Sequence, residues 1–154
     1  MEVQSLTNSL PTGAAKRRRS EVLTEPIPEP SVIDASPVLA DLLSEAGATL
    51  ARTFLPLGMM TSVNYSEVIS KLIDKGLAAS LATETVENLG LSVVQCDLAM
   101  ATLAGQLRAF TRHLGLSLGD RFAVALAIQT GLPLLTSDRR WQELQLGVRV
   151  ILIR

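Results

Sequence analysis

The chain has 154 residues, of which 47% are hydrophobic, so it is long and apolar enough to bury one core without crosslinks. Its 14 basic and 15 acidic residues give a formal net charge of −1, which excludes an overall basic field, so any nucleic-acid contact requires a local patch. One cysteine excludes an internal disulfide, and one histidine disfavours histidine-based triads and histidine-rich metal sites.

Residues 1–30 differ in composition from the rest and are predicted to form a flexible leader. Polar residues dominate the start, a basic run follows at 16–19, and prolines stand at 26, 28 and 30. Such a segment buries too little apolar surface to offset its ordering entropy. The basic run is either an arm for nucleic acid or a partner, or a solvated tail. No signal-peptide core or membrane-length apolar run is present, so we predict a cytoplasmic protein with no membrane partner.

The remaining residues, 31–154, alternate short apolar strands with helical patterns. A strand at 31–34 ends in Asp34, and Ser36-Pro37 is predicted to cap a helix that runs to about residue 45. A helical piece at 48–55 and a strand at 59–61 follow. The next predicted elements are helices at 62–75 and 80–89, a strand at 91–94, and a helix at 98–114 capped by Asp97.

The stretch from Ser117 to Asp138 is the most informative part of the chain. Ser117 and Asp120 have the spacing of a capping box, and residues 122–128 are all apolar, which predicts a helix buried inside the domain. Gly131 is predicted to end this helix. A strand at 134–136 leads to Asp138, which precedes a short helix at 139–144 and a last strand at 148–153.

The alternation predicts an α/β fold with a central, mostly parallel sheet flanked by helices in three layers. In such sheets the ligand site lies beyond the carboxyl ends of the strands. Asp34 and Asp138 each follow a strand, and Glu67 and Asp120 lie near the start of helices that begin at the same edge. These four carboxylates are therefore expected to lie together.

Each of the four acids, taken alone, has a simple structural explanation as a helix cap, a turn residue or a solvated side chain. Together they would repel one another, by about 4 kcal/mol for two unit charges ~4 Å apart at an effective dielectric near 20. A divalent cation relieves that repulsion, and an all-oxygen site suits Mg²⁺ or Mn²⁺. Such an ion supports phosphodiester cleavage by an activated water. Arg121, Arg139 and Arg140 are candidates for RNA-phosphate contacts or are simple surface charges.

Four segments resemble the conserved blocks of PIN-domain ribonucleases, and more narrowly the VapC toxins of bacterial toxin–antitoxin pairs. They read V-I-D-A-S at 32–36, S-V-N-Y-S-E-V at 62–68, L-S-L-G-D-R at 116–121 and G-L-P-L-L-T-S-D at 131–138. The resemblance covers residues 31–154 and implies a PIN-like nuclease domain that cuts RNA with Mg²⁺ or Mn²⁺. The leader at 1–30 departs from the family pattern, because these toxins usually begin at the first strand.

The resemblance also implies roles for individual residues. Asp34, Asp120 and Asp138 would be metal ligands, and Glu67 would complete the catalytic set directly or through a water. The supporting residues would be Ser36, Asn64 and Thr136.

The resemblance further implies a small antitoxin protein as partner, and we expect a homodimer. Two alternatives remain open: a PIN-domain nuclease for RNA maturation or decay without an antitoxin, and a non-catalytic interaction module on the same fold.

Overall fold

A computed structural model of the chain describes residues 25–154. Most of the leader predicted for residues 1–30 therefore lies outside the described residues. From Ser31 onward the chain forms five strands and a series of helices, as the alternating pattern predicts. No helix between residues 25 and 154 combines the length and apolar character needed to cross a membrane.

The five strands form one sheet in which every neighbouring pair is parallel. Along the sheet the order is β3-β2-β1-β4-β5, so the first strand lies at the centre. The strands are β1 (Ser31–Ile33), β2 (Gly58–Thr61), β3 (Ser92–Val94), β4 (Leu134–Thr136) and β5 (Val150–Leu152). Because β1 and β4 are adjacent, Asp34 and Asp138 follow neighbouring strands at the same edge of the sheet.

Helices connect the strands on both faces of the sheet. They are α1 (Ala35–Leu42), α2 (Ala48–Phe54), α3 (Ser62–Asp74), α4 (Ala79–Glu87), α5 (Leu98–Gln106), α6 (Arg108–Thr111) and α7 (Leu118–Thr130). Short 3₁₀ helices follow at Leu55–Leu57, Arg112–Leu114 and Arg139–Glu143.

The core has two halves because successive residues of a strand point to opposite faces of the sheet. Val32 and Leu134 belong to a cluster that contains the buried side chains of α5 and α7. Ile33 and Leu135 belong to the second cluster, with side chains of α1 to α4. This arrangement confirms the three-layer α/β fold, with a sheet that is parallel throughout.

The start of α1 differs from the prediction that Ser36 and Pro37 open it. The helix begins at Ala35 and its N-cap is Asp34, whose backbone is extended with φ −68° and ψ 165°. Asp34 makes no side-chain cap bond, since its carboxylate accepts from the Ser36 hydroxyl instead. Pro37 is tolerated because its missing N–H would have no partner in the first turn.

The helix predicted over residues 98–114 is interrupted. α5 ends at Gln106, and after Leu107 the chain continues as α6 and a 3₁₀ turn. The Phe110 N–H donates to the Leu107 carbonyl at 3.0 Å, an i→i+3 bond that tightens the turn. Gly105, just before the break, weakens the helix by about 1 kcal/mol relative to alanine.

Candidate active site

Asp34 is the most buried of the four candidate acids, at 4% exposed. Its Oδ2 accepts hydrogen bonds from the Ser36 hydroxyl at 2.7 Å and the Thr136 hydroxyl at 3.0 Å. Burial raises the pKa of Asp34 to about 6, the Ser36 bond opposes this, and the negative charge of Asp120 adds to it. An acid in this position is poorly compensated when it is ionised.

Asp120 lies in the first turn of α7, where the predicted capping box is present. The Ser117 hydroxyl accepts from the Asp120 N–H at 3.1 Å, and the Asp120 carboxylate accepts from the Ser117 N–H at 2.7 Å. At the other end of α7, Gly131 adopts the left-handed conformation with φ 70°, as predicted. Buried side chains from Phe122 to Ala127 hold the helix in the core, so Asp120 has a rigid base.

Glu67 projects from α3 toward the start of α7. A Cβ atom placed on Gly119 would lie 2.6 Å from Glu67 Oε2, so the carboxylate occupies the space beside that glycine. Burial and the charge of Asp120 raise the pKa of Glu67, and Lys71 opposes the shift. Gly119 is a residue that the sequence interpretation missed, although a glycine in a first helical turn beside a candidate acid was a usable signal.

Asp138 follows β4, as predicted, and it also caps the 3₁₀ helix Arg139–Glu143. Its carboxylate accepts from the Arg140 backbone N–H and forms an ion pair with the Arg140 guanidinium through both oxygens. Arg140 therefore lowers the pKa of Asp138. The buried indole N–H of Trp141 has no hydrogen-bond partner among residues 25–154.

Three supporting side chains connect the elements that carry the acids. Asn64, fully buried, donates to the Gly119 carbonyl at 3.2 Å and to Asp34 Oδ1 at 3.5 Å, which ties α3 to α7 and β1. Thr61, missed by the sequence interpretation, caps α3 and donates to Asn64 Oδ1 at 2.6 Å. Ser36 and Thr136 lie 3.3 Å apart between α1 and β4. The family resemblance implied that Ser36, Asn64 and Thr136 support the acids, and all three contact Asp34 or its hydrogen-bond partners.

The three candidate arginines differ in what they contact. Arg121 donates to the Ser117 and Ala104 carbonyls and so links α7 to α5. Arg139 donates to the Arg154 carbonyl at 3.4 Å. Arg140 is paired with Asp138, and the charge of Asp120 adds to the raising of the Arg140 pKa. Arg139 and Arg140 are exposed and accessible to a phosphate.

Asp34, Glu67 and Asp120 thus share one electrostatic environment, while the Asp138 carboxylate is paired with Arg140. No three His, Cys, Asp or Glu side chains of residues 25–154 lie close enough together to hold one ion. The chemistry of the donors nevertheless fits a hard divalent cation. The donors are all carboxylates, and Asp120 raises the pKa of both Asp34 and Glu67, a repulsion that a cation relieves.

Comparison with known protein families and sequences gives consistent matches. The family model for the PIN domain matches residues 31–146. The chain is 32% identical over 114 residues to the VapC ribonuclease Mb2780c of Mycobacterium bovis and to the ribonuclease VapC42 of Mycobacterium tuberculosis. Each match covers 68% of this chain and 87% of the relative.

Solved structures with the same fold include toxin–antitoxin complexes. One from Klebsiella pneumoniae matches with a TM-score of 0.63 at 16% identity and covers 80% of this chain and 98% of that one. The DNA-bound VapBC of Salmonella typhimurium gives 0.63 at 21% identity, covering 80% and 97%. Mycobacterium tuberculosis VapC20, described as a sarcin–ricin loop cleaving toxin, gives 0.61 at 16% identity, covering 77% and 98%. At these identities the likeness concerns the fold alone.

Proposed function

The chain belongs to the PIN-domain family, and from that premise we propose that it is a metal-dependent endoribonuclease with Asp34, Glu67, Asp120 and Asp138 as its catalytic set. The proposal rests on the buried Asp34 carboxyl. Burial raises its pKa to about 6, and the charge of Asp120 further disfavours its ionised form. A fold does not keep such a repelling pair for its stability, because an apolar or amide group would be less costly there. The kinship to VapC ribonucleases supports the same reaction.

Asp34, Asp120 and Asp138 would hold Mg²⁺ or Mn²⁺, with Asp34 and Asp120 as the principal ligands. Asp34 lies at a strand end and Asp120 at the start of a buried helix, so the backbone restrains both. Asp138 becomes available when its carboxylate leaves Arg140, and the pair is weak because water screens the exposed guanidinium. A bound divalent ion supplies polarisation of the scissile phosphate and a lower pKa for a bound water.

Other residues of the chain would position the reacting groups. Burial and the charge of Asp120 raise the pKa of Glu67, so it is a stronger base than an ordinary glutamate. It is therefore suited to orient or deprotonate the attacking water. Ser36 and Thr136 fix the orientation of the Asp34 carboxylate through their hydroxyl hydrogen bonds. Asn64 holds the start of α7 against α3. Arg140 would exchange Asp138 for an RNA phosphate.

RNA cleavage by amide variants tests the proposal. We expect Asp34→Asn and Asp120→Asn to fold normally and to lose at least about a hundredfold in cleavage rate, with double variants far from additive, because the residues act as one unit. Asp97→Asn is the matched control. Asp97 also follows a strand, but it only caps α5, and asparagine is an equally good cap. Wild-type cleavage by either site variant, free of contaminating nuclease, would show that the assignment is wrong.

We also propose that the protein acts as a toxin silenced by a small antitoxin and that it forms a homodimer. The toxin–antitoxin complexes among its fold relatives support the first part. For the second part, the sequence offers three apolar residues as candidates for a contact surface, namely Phe54, Leu77 and Leu81. Leu81 is 52% exposed and remains a candidate with Leu77, whereas Phe54 is fully buried and belongs to the core instead. If light scattering at micromolar concentration finds a monomer, the dimer proposal is wrong. If co-expression of the neighbouring gene leaves toxicity unchanged, the antitoxin proposal is wrong.

A further inference from the structure

A cleft of about 480 Å³ opens at the far end of the 3₁₀ helix that starts from Asp138. The cleft has two walls. One wall is α6 with the 3₁₀ turn that follows it, and it contributes Phe110, His113 and Leu114. The other wall is formed by Glu143, Gln145 and Leu146. We call this feature the 110–146 cleft. Its volume is within the ~300–1,000 Å³ range of sites that bind small molecules.

The two walls of this cleft connect directly to the candidate active site. The 3₁₀ helix that leads to Glu143 starts from its cap at Asp138, and at ~2 Å per residue Glu143 lies about 10 Å from that acid. On the other wall, Gly115 follows Leu114 and lies against Arg140, whose Nη1 is 3.2 Å from the position of a Cβ on that glycine. A strand cleaved at the acids would therefore carry its neighbouring nucleotide past the cleft.

The side chains of the cleft have the chemistry that recognises a nucleobase. Phe110 is 62% exposed, whereas the other four aromatic side chains, all within residues 25–154, are buried or partly buried. His113 is three residues further on and lies on the same face of the turn. Across the cleft, Glu143 is an acceptor only, and Gln145 both donates and accepts.

Charge around the cleft favours RNA over an apolar protein segment. Arg108 and Arg112 are exposed on the α6 wall and Glu143 is exposed on the opposite wall, while Arg140 nearby is paired with Asp138. Three of the six lining side chains are polar or charged, which does not suit the apolar face of a partner helix. Single-stranded RNA is typically bound by such a combination of an aromatic ring for stacking and flanking cations for phosphates.

We propose that the 110–146 cleft is a nucleobase subsite, in which Phe110 stacks on a base next to the scissile phosphate and Glu143 selects guanine. The guanine preference follows because a carboxylate accepts from the N1–H and N2–H of guanine together, an edge that no other base presents. The proposal rests on the proposed ribonuclease function, and it adds one stacking ring and one selecting carboxylate to that site.

The lone histidine provides a direct test that does not depend on cleavage. His113 is the only histidine of the chain, so its ring protons give one set of NMR signals once any histidine tag is removed. We expect guanosine monophosphate, titrated into the full chain with EDTA present, to shift these signals more than the other three nucleoside monophosphates do. Phe110→Ala should abolish the shift, and Phe110→Trp should keep it.

RNA binding and cleavage-site mapping provide the second arm. In EDTA, Phe110→Ala should weaken binding of a single-stranded RNA about tenfold, the loss of one stacked base. Leu98→Ala, at a still more exposed apolar position at the start of α5, should stay within twofold. With Mg²⁺ present, Glu143→Gln should remove the guanine preference next to the cut while the chain still cleaves RNA.

Each alternative outcome has a distinct meaning. The subsite proposal is wrong if the nucleotides do not move the His113 signals of the wild-type chain and Phe110→Ala keeps its RNA affinity. It is also wrong if Phe110→Ala shifts the monomer–dimer equilibrium without loss of RNA affinity. An unchanged base preference in Glu143→Gln would overturn the guanine assignment. If the nucleotide binds but the wild-type chain cuts no RNA, the proposed function fails and the nucleotide site stands.

Discussion

At the scale of single residues, Asp34 shows how a candidate catalytic group opposes the stability of its own fold. Its side chain is 4% exposed and accepts two hydroxyl hydrogen bonds, yet burial raises its pKa to about 6 from the 3.8 of an exposed aspartate. The folded state therefore holds the Asp34 proton more tightly than the unfolded chain does. This stabilisation is complete below pH 3.8 and is lost as the pH rises through 6.

Asp34→Asn should stabilise the metal-free protein at neutral pH. The amide keeps the shape and removes the buried charge, so the free energy of unfolding should rise by up to about 3 kcal/mol at pH 7.5, with the gain vanishing near pH 4. Urea unfolding in EDTA at both pH values measures this. Asp41→Asn is the opposite control: Asp41 is also buried but forms a 2.7 Å ion pair with Arg52, so its amide should destabilise. A loss of stability in Asp34→Asn at pH 7.5 would contradict the account.

The contacts of individual site residues are also what the sequence predicted least well. That Asp34, Asp120 and Asp138 lie near one sheet edge follows from strand ends and a capping box, both readable in the sequence. The ion pair of Asp138 with Arg140 was not predicted, since it depends on the turn geometry that brings residues two positions apart together. The contact of Glu67 with Gly119 joins residues that are 52 positions apart, and the sequence does not specify how α3 packs against α7.

At the scale of elements, the contact between α3 and α7 holds Glu67 against the first turn of α7. Gly119 leaves the space that the Glu67 carboxylate occupies, and Asn64 fastens the two helices through the Gly119 carbonyl. The helix boundaries that the sequence predicted well are those with an explicit chemical signal, such as Ser117 and Gly131. The break after α5 has no signal apart from Gly105, so the continuous apolar pattern predicted one long helix.

Gly119→Ala should separate activity from stability. Alanine favours the helix by up to about 1 kcal/mol, but its Cβ would displace the flexible end of Glu67, so folding should persist. Cleavage should fall, by about a hundredfold if the carboxylate moves ~1 Å. Gly105→Ala in α5 is the matched control, because nothing lies within 4 Å of its added Cβ. Equal activity in the two variants, measured by RNA cleavage and thermal melting, would exclude the positioning role.

At the scale of the whole molecule, the leader predicted from composition should be dispensable for the fold. Deleting residues 1–24 leaves the described domain with its surface ion pair between Glu29 and Arg149. The thermal midpoint should stay within a few degrees, since a polar, proline-flanked segment contributes little buried apolar area. Extending the deletion through residue 30 also removes that pair and should cost no more than about 1 kcal/mol. A large drop on the first deletion would show that the leader docks on the domain.

Metal binding should stabilise the whole domain, because its proposed ligands come from three distant parts of the chain. Asp34 follows β1, Asp120 starts α7 and Asp138 follows β4, so an ion held by all three stabilises only the folded state. At a concentration 100 times its dissociation constant the gain is about 2.7 kcal/mol. We expect Mg²⁺ and Mn²⁺ to raise the thermal midpoint, EDTA to reverse the rise, and Zn²⁺ to restore no cleavage.

The variants decide whether such a rise comes from this site. Asp34→Asn and Asp120→Asn should lose most of the metal-induced increase. Asp97→Asn should keep all of it, because Asp97 caps α5 and does not contribute to the pKa shifts of Asp34 or Glu67. Asp138→Asn should lose less than Asp120→Asn, since the Asp138 carboxylate must first leave Arg140. Equal stabilisation of wild-type protein and Asp120→Asn by Mg²⁺ would place the ion elsewhere. The four carboxylates would then require another account of their shared location.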